Sequence, residues 1–191
     1  ATVYKWNPNS GDTLVNGQIG IDAGGNRVFA TIWDGGGVDT YDLSAYSSNL
    51  ELDLRPGEYS NFNNSQIANL GHGHYSRGNI FNALQYNNDV RSLIENAYGG
   101  TGNDSIIGNS SNNVLVGNQG NDTLIGNGGH DTLYGGSGND TILGGTGNDR
   151  FVAASSDGND VLNGGAGFDT LDYSNVGGVV QVNQLAGTTT G

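Results

Sequence analysis

Seven aspartates of this chain recur at one place of a repeating unit: Asp104, Asp122, Asp131, Asp140, Asp149, Asp160 and Asp169. From Gly99 the sequence cuts into nines: GGTGNDSII, GNSSNNVLV, GNQGNDTLI, GNGGHDTLY, GGSGNDTIL and GGTGNDRFV. An eleven-residue unit, AASSDGNDVLN, and then GGAGFDTLD follow. The acid holds the sixth place, and Asn113 stands there in one unit. The eighth place is apolar: Ile106, Leu115, Leu124, Leu133, Ile142, Phe151, Leu162 and Leu171. Carboxylates in regular series, among glycine-rich turns that offer backbone carbonyls, are oxygen ligands for a hard cation.

The elements that must position these acids follow from the same register. Six residues rich in Gly, Asn and Ser make a turn, because Gly and Asn tolerate positive φ. The next three extend as a short strand whose eighth-place side chain points inward. Stacked half-turns give two short parallel sheets around a thin apolar seam, with carboxylates in a column along each edge. At ~5 Å and an effective dielectric of ~20, each like-charged pair repels by about 3 kcal/mol. A cation between rungs removes that repulsion. Calcium, with 6–8 oxygen ligands in flexible geometry, suits such turns better than octahedral, water-retaining magnesium.

Composition narrows the function classes. Acidic residues outnumber Lys and Arg 19 to 6, a net charge of −13, which argues against nucleic acid and anionic membranes as partners. Gly supplies 35 of 191 residues and Pro only 2, so the chain is neither collagen nor a proline-rich linker. Without cysteine there is no disulfide, zinc–thiolate site or thiol nucleophile. No apolar run reaches the roughly 18 residues of a membrane span. His72, His74 and His130 lack the Glu of an H-E-x-x-H zinc site. His72 and His74 read as a solvated loop pair, and His130 as an exposed outer-loop residue. There is no G-x-S-x-G elbow, and the carboxylates have the spacing of cation loops rather than of a glycosidase pair. No catalysis is expected of this chain.

The first half is less repetitive. Val28 to Trp33, Asp39 to Leu43 and Asn49 to Leu54 read as strands. Spacings of three and four predict short helices over Ser65 to Leu70 and Asn79 to Tyr86. Arg91 to Glu95 leads back into the repeats. Core packing is expected for Tyr4, Trp6 and Trp33. The expected fold is all-β: a parallel β-roll preceded by a mixed, β-rich cap with short helices.

The repeat resembles G-G-x-G-x-D-x-U-x, the calcium-binding signature of RTX proteins. The resemblance covers 99–172 and implies a β-roll with two units per coil. It also implies an ion between each loop and the loop two units later. The earlier loop gives its second and fourth carbonyls plus its Asp, and the later loop its first and third carbonyls plus its Asp. Carried over, Asp104 pairs with Asp122, with carbonyls of Gly100, Gly102, Gly117 and Gln119. That column continues to Asp140 and Asp160. The opposite column runs Asn113, Asp131, Asp149 and Asp169, and Gly135, Gly144 and Gly164 supply further carbonyls. The Asn113–Asp131 site is expected to be weak or empty. The insertion before Asp160 disturbs another site, where Asp157 is a spare ligand.

A second resemblance rests on TIWDGGGVDTYDLSAYSSNLELDLRPGEYS (31–60) and SLIENAYGGTGNDSIIGN (92–109). These segments resemble the C-terminal domain of serralysin-type secreted metalloproteases. The resemblance implies further calcium at Asp34, Gly36 and Asp39 with carbonyls near Arg27, and a second ion shared by Asp39, Glu95 and the Leu93 carbonyl. It also implies a secreted, extracellular, non-catalytic domain that folds on calcium after passage through a type I secretion apparatus and stabilises an upstream zinc-protease domain. A calcium-stiffened module of an adhesin or surface-layer protein, or the roll of a polysaccharide epimerase or lyase, is the alternative. Three regions are expected: a cap over 1–98, the roll over 99–172, and a terminal strand and tail over 173–191, cut short. The opening at Ala1 and the ending in GTTTG suggest a piece of a longer protein.

Overall fold

In the computed structural model, residues 1–85, 87, 89–155 and 157–176 are described. The first strands are β1 (Val3–Trp6), β2 (Thr13–Val15), β3 (Gln18–Ile21), β4 (Ala30–Ile32), β5 (Thr40–Asp42), β6 (Glu51–Asp53) and β7 (Tyr59–Ser60). Then come β8 (Asn69–Gly71), β9 (His74–Tyr75), β10 (Ile80–Asn82), β11 (Asn96–Tyr98), β12 (Ser105–Ile107) and β13 (Val114–Gln119). The chain continues through β14 (Thr123–Gly128), β15 (Thr132–Ser137), β16 (Thr141–Thr146), β17 (Arg150–Val152), β18 (Val161–Ala166) and β19 (Thr170–Asp172).

Alternate units go to opposite sheets, so two units make one coil. A nine-stranded sheet has the order β19-β17-β15-β13-β11-β5-β1-β2-β3, and a five-stranded sheet the order β18-β16-β14-β12-β6. Pairing within the repeats is parallel, with Leu115 beside Leu133 and Leu124 beside Ile142. This stacks eighth-place side chains in one seam. Ile106, Leu115, Leu124, Leu133, Ile142 and Phe151 are buried there. Leu171 is half-buried at the far end, and Leu162 is 36 % exposed.

The middle strands are six residues long rather than three. Places one to three of the next unit join the ladder, as Asn118 beside Gly136 and Gln119 beside Ser137 show. The predicted six-residue turn therefore shortens, because backbone groups at those places find partners one coil away.

Both large sheets cross the 98/99 boundary. Tyr41 pairs with Ala97, which pairs with Leu115, and Leu52 pairs with Ile106. The hairpin β1–β2 and strand β3 extend the nine-stranded sheet further. Beneath them Trp6 meets Tyr41 edge-on at 5.3 Å and Phe62 at 5.1 Å. Trp33 departs from the expected core role and is 72 % exposed.

Among the described residues the predicted helices are not formed. Residues 64–66 make one 3-10 turn, followed by β8. The second helix is replaced by β10, flanked by β4 and β7. Ile80 and Asn82 point in and Phe81 lies between them on the outer face. Two flanking ladders satisfy this backbone better than one helical turn would, so strand pairing overrides the local spacing. Residue 86 and, of the predicted terminal strand and tail, residues 177–191 lie outside the described residues. Among the described residues, no helix is long and apolar enough to cross a membrane.

Candidate metal centre

The structure brings every predicted sixth-place pair together by one recurring bond. The backbone N–H of the earlier residue donates to Oδ1 of the acid one coil on. Along the five-stranded sheet this links Asp104 to Asp122 at 2.7 Å, Asp122 to Asp140 at 2.8 Å and Asp140 to Asp160 at 2.9 Å. Along the other sheet it links Asn113 to Asp131 at 2.7 Å, Asp131 to Asp149 at 2.9 Å and Asp149 to Asp169 at 3.0 Å. Asp104, Asp122, Asp131, Asp140 and Asp149 are buried, Asp160 is half-buried and Asp169 is exposed at the end of the stack.

The second carboxylate oxygen behaves differently. Oδ2 of Asp122, Asp131, Asp140 and Asp149 is buried and has no hydrogen-bond donor among the described residues. A Cβ on Gly117 would strike both Asp122 Oδ2 and the Gly135 carbonyl. The same holds for Gly126 against Asp131 Oδ2 and the Gly144 carbonyl, and for Gly144 against Asp149 Oδ2 and the Gly164 carbonyl. A charged oxygen and a carbonyl oxygen thus converge on one point beside each of these three first-place glycines. A buried, unpartnered carboxylate is costly, and a cation is the partner that two converging oxygens fit. Among the described residues, no three His, Asp or Glu side chains gather into a site by themselves. Carbonyls must complete the ligand set.

Titration behaviour agrees. Burial, and then the neighbouring Asp104 and Asp140, push Asp122 up to about 7. Burial and Asp149 push Asp131 up to about 7. Asp140 is raised by burial and by Asp160 and Asp157. Asp157 is raised by burial and Asp160, and its Oδ2 accepts from Ala154 N–H at 2.6 Å. The insertion therefore lays Asp157 alongside the Asp140–Asp160 rung.

Of the predicted carbonyls, Gly100 O accepts from Gln119 N–H at 3.4 Å. The Gly102 carbonyl abuts Gly120, and the Gly117 carbonyl lies beside Gly99 with Asp104 Oδ2.

A second group of acids lies at the head of the nine-stranded sheet. Thr40 pairs with Asn96, which pairs with Val114, so Asp39, Glu95 and Asn113 are successive rungs above Asp131. Asp39 N–H donates to Glu95 Oε2 at 2.8 Å, repeating the inter-rung bond, and Asp39 Oδ2 is buried without a donor. Burial first, then Asp39 and Asp34, raise Glu95. Asp34 accepts from Tyr4 OH at 2.8 Å and Gly36 N–H at 3.1 Å. Burial pushes Asp34 up, but these hydrogen bonds outweigh it and hold the carboxyl below its usual range. Leu93 closes the 3-10 turn that delivers Glu95. The Arg27 carbonyl lies against Gly11, and the extended stretch from Val28 to Trp33 separates it from Asp34. Thr2 instead reaches this cluster, its N–H donating to Asp39 Oδ1.

Sequence reasoning missed a second ladder at the fifth place. Oδ1 of Asn103, Asn121 and Asn139 accepts from N–H of Asn121, Asn139 and Asn159 at 2.7–2.8 Å. Asn49 precedes Asn103 in this series, at 2.9 Å. On the opposite side Asn112 accepts from His130 N–H, and His130 Nδ1 from Asn148 N–H, both at 2.7 Å. His130 is exposed as predicted, yet it is one rung of this spine. The recurrent Asn before Asp was the available signal. Asn49-Leu50-Glu51-Leu52 also echoes Asn103-Asp104-Ser105-Ile106, with Leu50 at the acid's place and its N–H on Asp104 Oδ1 at 2.9 Å.

A family model, the RTX calcium-binding nonapeptide repeat (4 copies), matches residues 93–124, 116–151 and 154–172. Metallopeptidase AprA of Pseudomonas marginalis is 32 % identical over 107 residues, 56 % of this chain and 18 % of its own length. Serralysin C of Dickeya chrysanthemi is 36 % identical over 106 residues, 56 % of this chain and 18 % of its own length. Serralysin of Proteus mirabilis is 32 % identical over 108 residues, covering 56 % and 17 %. The chain thus spans under a fifth of these relatives. The stacked acids from Asp104 to Asp169 thus lie in the segments that match the RTX calcium-binding nonapeptide repeat, on a β-roll that resembles the C-terminal region of serralysin-type metalloproteases.

Proposed function

We propose that this chain is a non-catalytic, extracellular β-roll domain that folds on calcium after type I secretion and stabilises an attached zinc metalloprotease. Residues 1–98 serve as its cap and 99–172 as its calcium-responsive roll. The observation that carries this reading is the donorless, buried Oδ2 of Asp122, Asp131, Asp140 and Asp149, three of them facing a first-place carbonyl. When bound, calcium supplies two positive charges and accepts six to eight oxygens. Asp131 bridges Asn113 and Asp149 through its own Oδ1 and N–H, which holds Oδ2 in place for an ion. Asp39 does the same at the head of the stack, its N–H on Glu95 and its Oδ2 left over, and Glu95 and Asp34 add carboxylates beside it, with Gly36 and Leu93 shaping the loops. Extracellular modules bind calcium at about 10⁻⁴–10⁻³ M, so the coils from Asp122 onward remain unfolded where calcium is scarce and close where it is plentiful.

The experiment is a calcium titration of the full chain, followed by far-ultraviolet circular dichroism and equilibrium dialysis. Sheet signal rising together with bound calcium is expected. A full sheet signal in excess chelator, with no calcium bound at millimolar concentration, rejects the reading. The exposed Trp33 favours a second reading, a calcium-stiffened interaction module of an adhesin or surface-layer protein. The epimerase or lyase reading gains nothing, since Arg150 is paired with Asp172 instead of facing a groove.

A further inference from the structure

We infer that the Asn113 side-chain amide takes the place of a cation, so that the coil joining the first half to the repeats is closed by hydrogen bonds alone. This rests on the calcium reading of the other rungs.

The contrast lies within one repeating position. Asp122, Asp131, Asp140 and Asp149 each leave a buried oxygen without a donor. Asn113, equally buried, leaves nothing unsatisfied. Its Oδ1 accepts from Asn109 N–H at 2.8 Å, and its Nδ2 donates to the Glu95 carbonyl at 2.7 Å and to Asn109 Oδ1 at 3.3 Å. A Cβ on Gly108 would strike Asn113 Oδ1 and the Gly126 carbonyl, so this oxygen lies in the same cradle that Asp122 Oδ2 occupies beside Gly117. Here, however, the oxygen is neutral and already has a donor.

The backbone explains the difference. At the second place, Asn118, Asn127, Gly136 and Gly145 have φ of 78°, 76°, 104° and 113°. In those turns the N–H does not reach the acid four residues on. Asn109 and Gly100 are not left-handed, and their N–H groups reach Asn113 and Asp104, the latter at Oδ2 and 2.7 Å. Asp104 Oδ1 is meanwhile taken by Leu50 N–H at 2.9 Å. Both units that join the halves are therefore self-satisfied.

Asn109 extends the network across the roll. Its Nδ2 donates to the Ile94 carbonyl at 2.8 Å and the Leu54 carbonyl at 3.2 Å, residues that flank β11 in one sheet and β6 in the other. Two buried amides thus tie both sheets without charge. An Asp at 113 would add a charge to the column between the Glu95 and Asp131 rungs and set it against the Glu95 carbonyl that the amide now satisfies. The neutral amide removes that repulsion and leaves a folded template on which the ion-dependent coils from Asp122 onward add.

The test uses the full chain. Amide hydrogen exchange in excess chelator at neutral pH should leave Asn109, Asn113 and Val114 protected at least about tenfold more than Thr141 and Arg150. Equal exchange in the two groups overturns the inference. Asn113→Asp should bind one more calcium ion by equilibrium dialysis and lose the extra protection in chelator. If the unaltered chain binds calcium and a folded Asn113→Asp variant gains none, this inference fails and the calcium reading stands. If neither binds calcium, both fail. If the variant does not fold, the exchange pattern of the unaltered chain decides.

Discussion

The backbone N–H of Asp104 donates to Oδ1 of Asp122 at 2.7 Å, so the carboxylate of one coil is anchored to the backbone of the previous one. That bond uses one oxygen and orients the other. Repetition at eighteen-residue steps turns a local side-chain contact into a column, and the column accumulates negative charge that backbone N–H groups only half satisfy.

Removal of calcium should therefore collapse the repeats. At a free concentration ten times Kd, each ion adds about 1.4 kcal/mol to the native state. Excess chelator is expected to abolish most of the far-ultraviolet sheet signal and to lower the thermal midpoint. Unchanged melting in calcium and in chelator would contradict this.

Asp131→Ala should cost more than Asp157→Ala. The first removes a buried acceptor, stranding the Asn113 N–H at roughly 1–3 kcal/mol, together with a charged ligand. The second removes a half-buried loop acceptor, worth about 0.5–1.5 kcal/mol. Calcium midpoints from dichroism titrations of both variants check the order.

Acid should partly replace calcium. Asp122 and Asp131 titrate near 7 in the ion-free fold against 3.8 for an ordinary Asp. The folded state therefore holds more protons between those values, and this contribution to stability is full below 3.8 and is lost as pH rises through about 7. In chelator, the sheet signal should grow as pH falls from 8 toward 5, and apparent calcium affinity should fall over the same range. Dichroism and dialysis at stepped pH measure both.

Gly126→Ala should impair calcium binding, because its Cβ would fill the space shared by Asp131 Oδ2 and the Gly144 carbonyl. Gly25→Ala, with open space around its Cβ, is the control and should leave the titration unchanged. A raised calcium midpoint for the first variant alone is expected.

Leu133→Ala should lose about 2–5 kcal/mol in saturating calcium, since the side chain is fully buried in the seam. Leu162→Ala, at a position already 36 % exposed, should lose less than half as much. Denaturant unfolding of both variants compares them.

The repeats were legible because place in the nine-residue unit sets the environment. Leu124 and Leu133 point inward for the same reason, and Asp122 and Asp140 stack for the same reason. The first half offered no such rule. Ile80 looked helical by its spacing, yet Ala30 and Ser60, far away in sequence, claimed its backbone for a sheet. Trp33 looked like core and lies outside.

Periodicity alone determined the two columns of acids, the apolar seam between them and the need for a hard cation, because those depend on neighbours at fixed spacing. Tertiary structure decided which oxygen of each acid is left over and that Asp39 and Glu95, 56 residues apart, head one of the columns. It also decided that Asn113 and Asn109 close their coil without charge. These outcomes depend on which distant backbone N–H reaches a side chain first, and chain closure over tens of residues leaves no mark in local spacing.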